Sequence, residues 1–111
     1  MSVYRSFDEN TKEVNYIGIT NNVERRTYEQ LRARNIRIEP IFGLNNLSEY
    51  DARATEQALI EIHGLQKNGG TLMNRINSIA KTNPIKADAV KRGLEILKEN
   101  EYDGLKDIII E

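Results

Sequence analysis

The feature that most constrains the fold is a pair of short segments rich in β-branched and aromatic residues near the start of the chain. They run from Val3 to Phe7 and from Val14 to Ile19, and polar turn formers separate them. Such segments are typical of strands, and the short polar turn predicts an antiparallel hairpin. We therefore expect Tyr4 and Tyr16 to lie on two paired strands.

The pattern after Gly18 changes to helical spacing. Asn21 can cap a helix that we expect from about residue 22 to 34, and Asn35 is a plausible stop. Alternating isoleucines from Ile36 to Ile41 predict a third strand, which Pro40 demotes to an edge or a short strand.

Two further helices follow. Ser48 with Asp51 resembles a capping box, and the apolar stripe behind it ends at Gly64. A boundary near Asn83-Pro84 precedes a helix from about residue 85 to 99. We therefore predict an α+β fold, a small three-stranded, mainly antiparallel sheet flanked by helices, with an extra C-terminal helix.

The composition fits a single domain and excludes several kinds of chemistry. The chain has 111 residues, 39% of them hydrophobic, which supplies one modest core. It has no cysteine, so disulfides, thiolate metal sites and a cysteine nucleophile are excluded. No apolar run reaches the length of a membrane span, and the N-terminus lacks the layout of a signal peptide.

Charge is spread unevenly along the chain. The net charge is only -1, so a nucleic acid would have to be held by a local patch. Residues 24–39 carry five arginines against three glutamates, an excess of two positive charges. From Glu95 to the end there are six acidic residues and two lysines, which gives a net charge of 2 - 6 = -4. We expect any nucleic acid to bind away from this tail.

Two strand tyrosines are followed by Gly18 and then by Arg26, in the second turn of the next helix. This order is characteristic of one family. It resembles the GIY-YIG nuclease family, with Val3-Tyr4-Arg5 and Tyr16-Ile17-Gly18 as the two strand motifs. The resemblance covers roughly residues 2 to 80 of the single domain 1–111 and leaves about 84–111 as a C-terminal extension. It implies that five residues converge on one phosphate: Tyr4, Tyr16, Arg26, Glu56 and Asn74.

Two positions depart from the family pattern. Ser2-Val3 stands where glycine-isoleucine is usual, and Gln30 stands four residues after Arg26, where a histidine or tyrosine is usual. Gln30 shares a helix face with Arg26, and its amide can orient a phosphate but cannot carry a proton near neutral pH. His63 is a candidate proton carrier in its place, although a lone histidine near a helix end is more often a dipole partner or a cap.

Phosphodiester hydrolysis requires an activated water and neutralisation of charge on the phosphoryl oxygens. Mg²⁺, or Mn²⁺, suits Glu56 as a single carboxylate ligand, because such ions keep several waters. Arg26 can clamp a phosphate with its planar fork. A nearby cation can lower the pKa of a tyrosine, so Tyr16 is favoured as the base, with Tyr4 assisting. Asn74 suits the positioning of Glu56 or of a tyrosine.

Plainer explanations exist for the same residues. Strand tyrosines are most often core residues, and arginines on a helix most often form a solvated face. Glu56 lies among apolar residues of its helix, and the edge of an exposed stripe would explain it equally. As further phosphate contacts we expect Arg5, Arg25 and Arg32.

The resemblance implies a divalent-metal-dependent endonuclease, with DNA slightly favoured as substrate and tRNA as the other option. Residues 46–54 and 72–79 look similar to C-terminal toxin modules of bacterial polymorphic toxins, such as the Rhs and contact-dependent inhibition systems. That similarity implies an antibacterial toxin domain, secreted or delivered within a larger toxin, that acts in the target-cell cytoplasm. It also implies a cognate immunity protein in the producing cell.

Two other interpretations belong to different classes. The chain can be a nucleic-acid-binding module that kept the scaffold and lost the chemistry, which Gln30 supports. Such a module would bind through the helix arginines without turnover, and salt would weaken the binding. Alternatively, the apolar segment Ile108-Ile109-Ile110 is a protein-docking element.

Overall fold

The computed structural model describes residues 1–66, 69–74, 79 and 83–102 of the chain. Its elements, in order, are β1 (Ser2–Phe7), β2 (Val14–Thr20), α1 (Val23–Arg34), β3 (Glu39–Pro40), α2 (Glu49–His63) and α3 (Lys86–Glu99). The predicted α+β class and the extra C-terminal helix are confirmed. The docking segment Ile108-Ile109-Ile110 lies outside the described residues.

The three strands form one antiparallel sheet in the order β2-β1-β3. Tyr4 lies opposite Gly18 and Ser6 lies opposite Tyr16, so both tyrosines project from the same face of the sheet, the tyrosine face. Val3 and Arg5 alternate with them and project from the other face, the core face.

The third strand is much shorter than the predicted segment from Ile36 to Ile41. Only Glu39 and Pro40 pair with β1, at the edge of the sheet. Pro40 has no N–H to donate, which suits its place on an edge strand, and the next residue, Ile41, still donates its N–H to the Val3 carbonyl at 2.9 Å. Ile36 and Ile38 are nevertheless buried, and they pack beside Tyr4 on the tyrosine face.

Capping residues set the helix bounds. Asn22, rather than the expected Asn21, caps α1, and its side chain accepts a hydrogen bond from the Arg25 N–H at 3.0 Å. Asn35 ends α1 in the left-handed conformation, with φ of 55°. Ser48 caps α2 by accepting from the Asp51 N–H at 3.1 Å, as the capping box predicts.

The apolar core lies between the core face of the sheet and the helices α2 and α3. Val3, Ile17, Leu59 and Leu97 are fully buried in it. The helices approach closely at Gly93, where a Cβ atom would overlap the backbone of α2. Within the described ranges, no helix has the length and apolar character needed to cross a membrane.

Candidate active site

The two tyrosines pack against each other on the tyrosine face. Their ring centroids lie 6.3 Å apart with an interplanar angle of 28°. The Tyr4 ring is 2% exposed and lies across Gly18, where any Cβ atom would overlap the ring and its hydroxyl. Glycine is therefore required at this position because the Tyr4 ring occupies the space of a side chain.

The Tyr4 hydroxyl is buried with one amide partner. Gln30 is also buried, and its Nε2 donates to the Tyr4 hydroxyl oxygen at 3.2 Å. Burial raises the pKa of Tyr4, and the charges of Tyr16 and Glu56 act in the same direction. The Gln30 hydrogen bond and the charge of Arg26 oppose this rise without cancelling it. Tyr4 is therefore a protonated phenol at neutral pH.

Two expectations from the sequence bear on these residues. A nearby cation was expected to lower the pKa of a tyrosine, with Tyr16 favoured as the base and Tyr4 assisting; for Tyr4, burial outweighs the Arg26 charge and raises the pKa. Gln30 was expected to reach a phosphate from the Arg26 face, and instead its Nε2 bonds to Tyr4 inside the protein.

Arg26 combines an exposed tip with a buried donor. Its side chain is 37% exposed, and the Glu29 carboxylate lies 3.6 Å from its Nε. That distance is too long for a hydrogen bond, and the buried Nε has no hydrogen-bond partner among the described residues. A buried donor without a partner is costly, so an anion bound at Arg26 would remove a penalty.

Glu56 comes to the same cluster from α2. Its side chain is partly exposed, and it is close enough to Tyr4 to act on the pKa of that phenol. Together the clustered residues form what is here named the tyrosine site: Tyr4, Tyr16, Arg26, Gln30 and Glu56.

The donor set at this site fits one kind of metal ion. In the described part of the chain, no three His, Cys, Asp or Glu side chains lie close enough together to hold a metal ion. A metal at Glu56 would therefore have one carboxylate ligand from these residues, with water and substrate oxygens as the others. This is the coordination that Mg²⁺ tolerates, because it dehydrates reluctantly and is often held by one or two carboxylates.

Asn74 holds the outer edge of β2 rather than reaching towards a phosphate. Its Oδ1 accepts from the Ile17 N–H at 3.1 Å, and its Nδ2 donates to the Ile17 carbonyl at 2.8 Å. The side chain thus replaces a neighbouring strand at this residue. Because Ile17 stands between Tyr16 and Gly18, Asn74 fixes the strand that carries the site.

Two expected residues lie on the core face instead. Arg5 pairs with Glu39 at 3.3 Å and lies over the Tyr102 ring. His63 Nε2 is 2.7 Å from the Tyr102 hydroxyl, and burial, followed by the charge of Arg5, lowers the pKa of His63. The structure therefore does not bring Arg5 or His63 to the tyrosine site, and His63 does not replace the ring expected at position 30.

The remaining helix arginines lie on the outer surface of α1. Arg25 is 3.9 Å from Glu29, and Arg32 donates to the exposed Tyr28 hydroxyl at 2.9 Å. Neither contact involves a residue of the tyrosine site.

Arg34 is the residue that the expected site set lacks. Its guanidinium lies over the Tyr16 ring, 5.5 Å from the centroid, and its Nη1 is 3.4 Å from the Tyr16 hydroxyl. Arg26, Gln30 and Arg34 are spaced four residues apart and so share one helix face. That spacing was the sequence signal from which Arg34 could have been predicted.

Comparison with known proteins found no match to this chain. No family model matches the chain, and neither a curated protein nor a solved structure matches it.

Proposed function

We propose that this chain is a divalent-metal-dependent endonuclease that hydrolyses phosphodiester bonds of nucleic acid. The observation that carries the proposal is the tyrosine site, where two phenols, one arginine with a buried, unpartnered donor and one carboxylate meet. These are the groups that phosphodiester hydrolysis requires, because the phosphate must be held, its charge neutralised and protons moved.

Each side chain has a distinct task in this proposal. Arg26 holds the phosphoryl oxygens, and its buried Nε gains a partner when it does so. The half-buried Tyr16, acting as a phenolate, accepts the proton of the attacking water. Tyr4 keeps its proton because burial raises its pKa, so it donates a hydrogen bond within the site.

Glu56 is the ligand proposed for the cation. A bound Mg²⁺ or Mn²⁺ supplies charge neutralisation at the phosphate. Gln30 fixes the Tyr4 hydroxyl through its amide, and Asn74 fixes β2. Both act as positioning residues.

The substrate class follows from the same groups. They bind a phosphate diester, which DNA and RNA share, and we favour DNA slightly, with tRNA as the alternative. The similarity of residues 46–54 and 72–79 to polymorphic-toxin modules supports a role as a toxin domain delivered within a larger protein. In that role a cognate immunity protein would protect the producing cell, and the target-cell cytoplasm would be the place of action.

Cleavage of plasmid DNA and of tRNA, with Mg²⁺ and with Mn²⁺, tests the proposal. We expect Glu56→Gln and Arg26→Ala to lower the cleavage rate by about 100-fold or more, as loss of a charge-stabilising group does. Glu61→Gln is the matched control, because Glu61 lies on α2 in a surface ion pair with Lys86 at 3.4 Å. Circular dichroism and urea unfolding show whether each variant is folded.

A binding module without turnover is the competing function, and Gln30 is the observation that favours it. Its amide cannot transfer a proton near neutral pH. This alternative predicts salt-dependent binding of nucleic acid and no cleavage with any divalent metal. The variant Gln30→His separates the two: cleavage by the wild-type protein supports the nuclease, whereas cleavage by Gln30→His alone would show that the chain kept the scaffold and lost the chemistry at position 30. Binding without cleavage by either protein rejects the nuclease.

A further inference from the structure

A groove of 530 Å³ opens next to the tyrosine site, between the turn of the hairpin and the C-terminal end of α1. Its size is that of a small-molecule pocket, for which about 300–1,000 Å³ is usual. Arg34 lines the groove and also contacts the Tyr16 hydroxyl, so one guanidinium connects the groove with the site.

One wall of the groove carries positive charge that is free for a ligand. Arg34 and Arg37 line it, and neither has a carboxylate partner within the described ranges. By contrast, other arginines of the described chain are paired, for example Arg5 with Glu39 and Arg92 with Asp51. The two groove arginines are therefore available to an anion such as a phosphate.

The opposite wall has the opposite charge. Asp8 and Glu9 lie there, in the hairpin turn. The Asp8 Oδ1 accepts backbone N–H bonds from Asn10 at 2.8 Å and Thr11 at 2.9 Å, which hold the turn in place. A ligand with an anionic end and an end with hydrogen-bond donors would therefore match both charged parts of the groove.

Apolar surface also lines the groove. Phe7 and Met73 both line the groove, and each is 39% exposed. A flat aromatic ligand could cover both side chains. A nucleotide has all three properties, a phosphate, an aromatic base and, in guanine, two adjacent N–H donors on the base edge.

We propose that this groove binds one unpaired nucleotide, with guanine preferred, next to the phosphate that is cleaved. Its phosphate lies on Arg34 and Arg37, and the donor edge of the base faces Asp8 and Glu9. In a duplex that edge is occupied by the partner base, so the groove selects an unpaired nucleotide. The position beside the cleaved phosphate rests on the proposed nuclease function, whereas the nucleotide site itself does not.

Titration of the full chain with guanosine 5′-monophosphate, followed by ¹H–¹⁵N NMR spectra, tests the groove directly. We expect the largest shifts at the backbone amides of Asn15, Asn35 and Arg37. Arg37→Ala should weaken binding by about 10-fold, the usual effect of losing a charge-assisted hydrogen bond. Arg53→Ala is the matched control and should bind as the wild type does, because Arg53 is an exposed arginine of α2 that pairs with Glu49 and does not line the groove. Uridine 5′-monophosphate should bind more weakly.

The outcomes separate this inference from the nuclease. Unchanged binding by Arg37→Ala, or shifts centred outside the groove, would overturn the nucleotide site even if the chain cleaves nucleic acid. Equal binding of the two mononucleotides would overturn the guanine preference. Groove binding by a chain that cleaves nothing would keep the site and reject its place beside a cleaved phosphate.

Discussion

The two faces of the sheet differ in how their polar groups are satisfied. On the core face, Arg5 pairs with Glu39, and His63 bonds to the Tyr102 hydroxyl. On the tyrosine face, the buried Nε of Arg26 has no hydrogen-bond partner among the described residues. Polar groups on the first face therefore support the fold, whereas the second face retains binding capacity that folding does not use.

The same strands supply both faces, so the difference comes from alternation along β1 and β2. Val3 and Ile17 enter the apolar core, while their neighbours Tyr4 and Tyr16 form the site. Substitutions on the core face should therefore change stability, and those on the tyrosine face should change activity. Paired variants on the two faces of the sheet test that separation.

The largest difference is expected between two tyrosine-to-phenylalanine variants. Tyr16→Phe removes the proposed base and should lower the cleavage rate by about 100-fold or more. Tyr102→Phe removes the hydroxyl that bonds to His63, so it should cost about 1 kcal/mol of unfolding free energy and leave cleavage unchanged. Cleavage rates and urea unfolding of both variants measure this. Equal losses of activity would refute the separation of the faces.

Two glycines provide a matched test of packing. Gly18→Ala would force the Tyr4 ring to move, and Gly93→Ala would push α3 away from Ala54. Each change should cost about 1–3 kcal/mol of unfolding free energy, as overpacking does. Only Gly18→Ala should also lower cleavage, measured at a temperature where both variants are folded. Full activity of folded Gly18→Ala would show that the Tyr4 position is not needed.

Asn74 should have a smaller effect that combines stability and activity. Asn74→Ala removes both hydrogen bonds to Ile17, which should cost about 1–2 kcal/mol and loosen the strand that carries Tyr16. The control is Asn100→Ala, which loses one bond to the Ile96 carbonyl at the end of α3. Hydrogen exchange at the Ile17 amide reports the loosening. An unchanged exchange rate in Asn74→Ala would contradict the positioning role.

Most of the fold was predictable because its signals are local. Two segments rich in β-branched and aromatic residues around a polar turn predicted the hairpin, and the caps at Asn35 and Ser48 predicted helix ends. The choice between Asn21 and Asn22 was not predictable, since either side chain can cap a helix and only the backbone path decides. The shortening of β3 was not predictable either, because whether Ile36 and Ile38 pair with β1 or pack beside Tyr4 depends on the tertiary structure.

The site was less predictable because it depends on side-chain direction. Tyr4 and Arg5 are adjacent in one strand, so alternation alone already excludes both from one face. Arg5 was expected as a further phosphate contact, and the structure does not bring it to the tyrosine site. Arg34 was missed although its spacing from Arg26 indicates one helix face. The partner of Gln30 required the structure, because a buried amide can turn to any nearby acceptor.

The smallest expected effect is a pH dependence of stability that belongs to the core face. Burial, followed by the charge of Arg5, lowers the pKa of His63 from its usual 6.5. Between the lowered pKa and 6.5 the unfolded chain binds more protons than the folded chain, so stability falls as the pH falls through this window. His63→Gln should flatten that fall, measured by urea unfolding at about pH 7.5 and about pH 5.5. The pH profile of cleavage should be the same in both proteins, because His63 lies away from the tyrosine site. A shifted cleavage profile in His63→Gln would connect the two faces and overturn their separation.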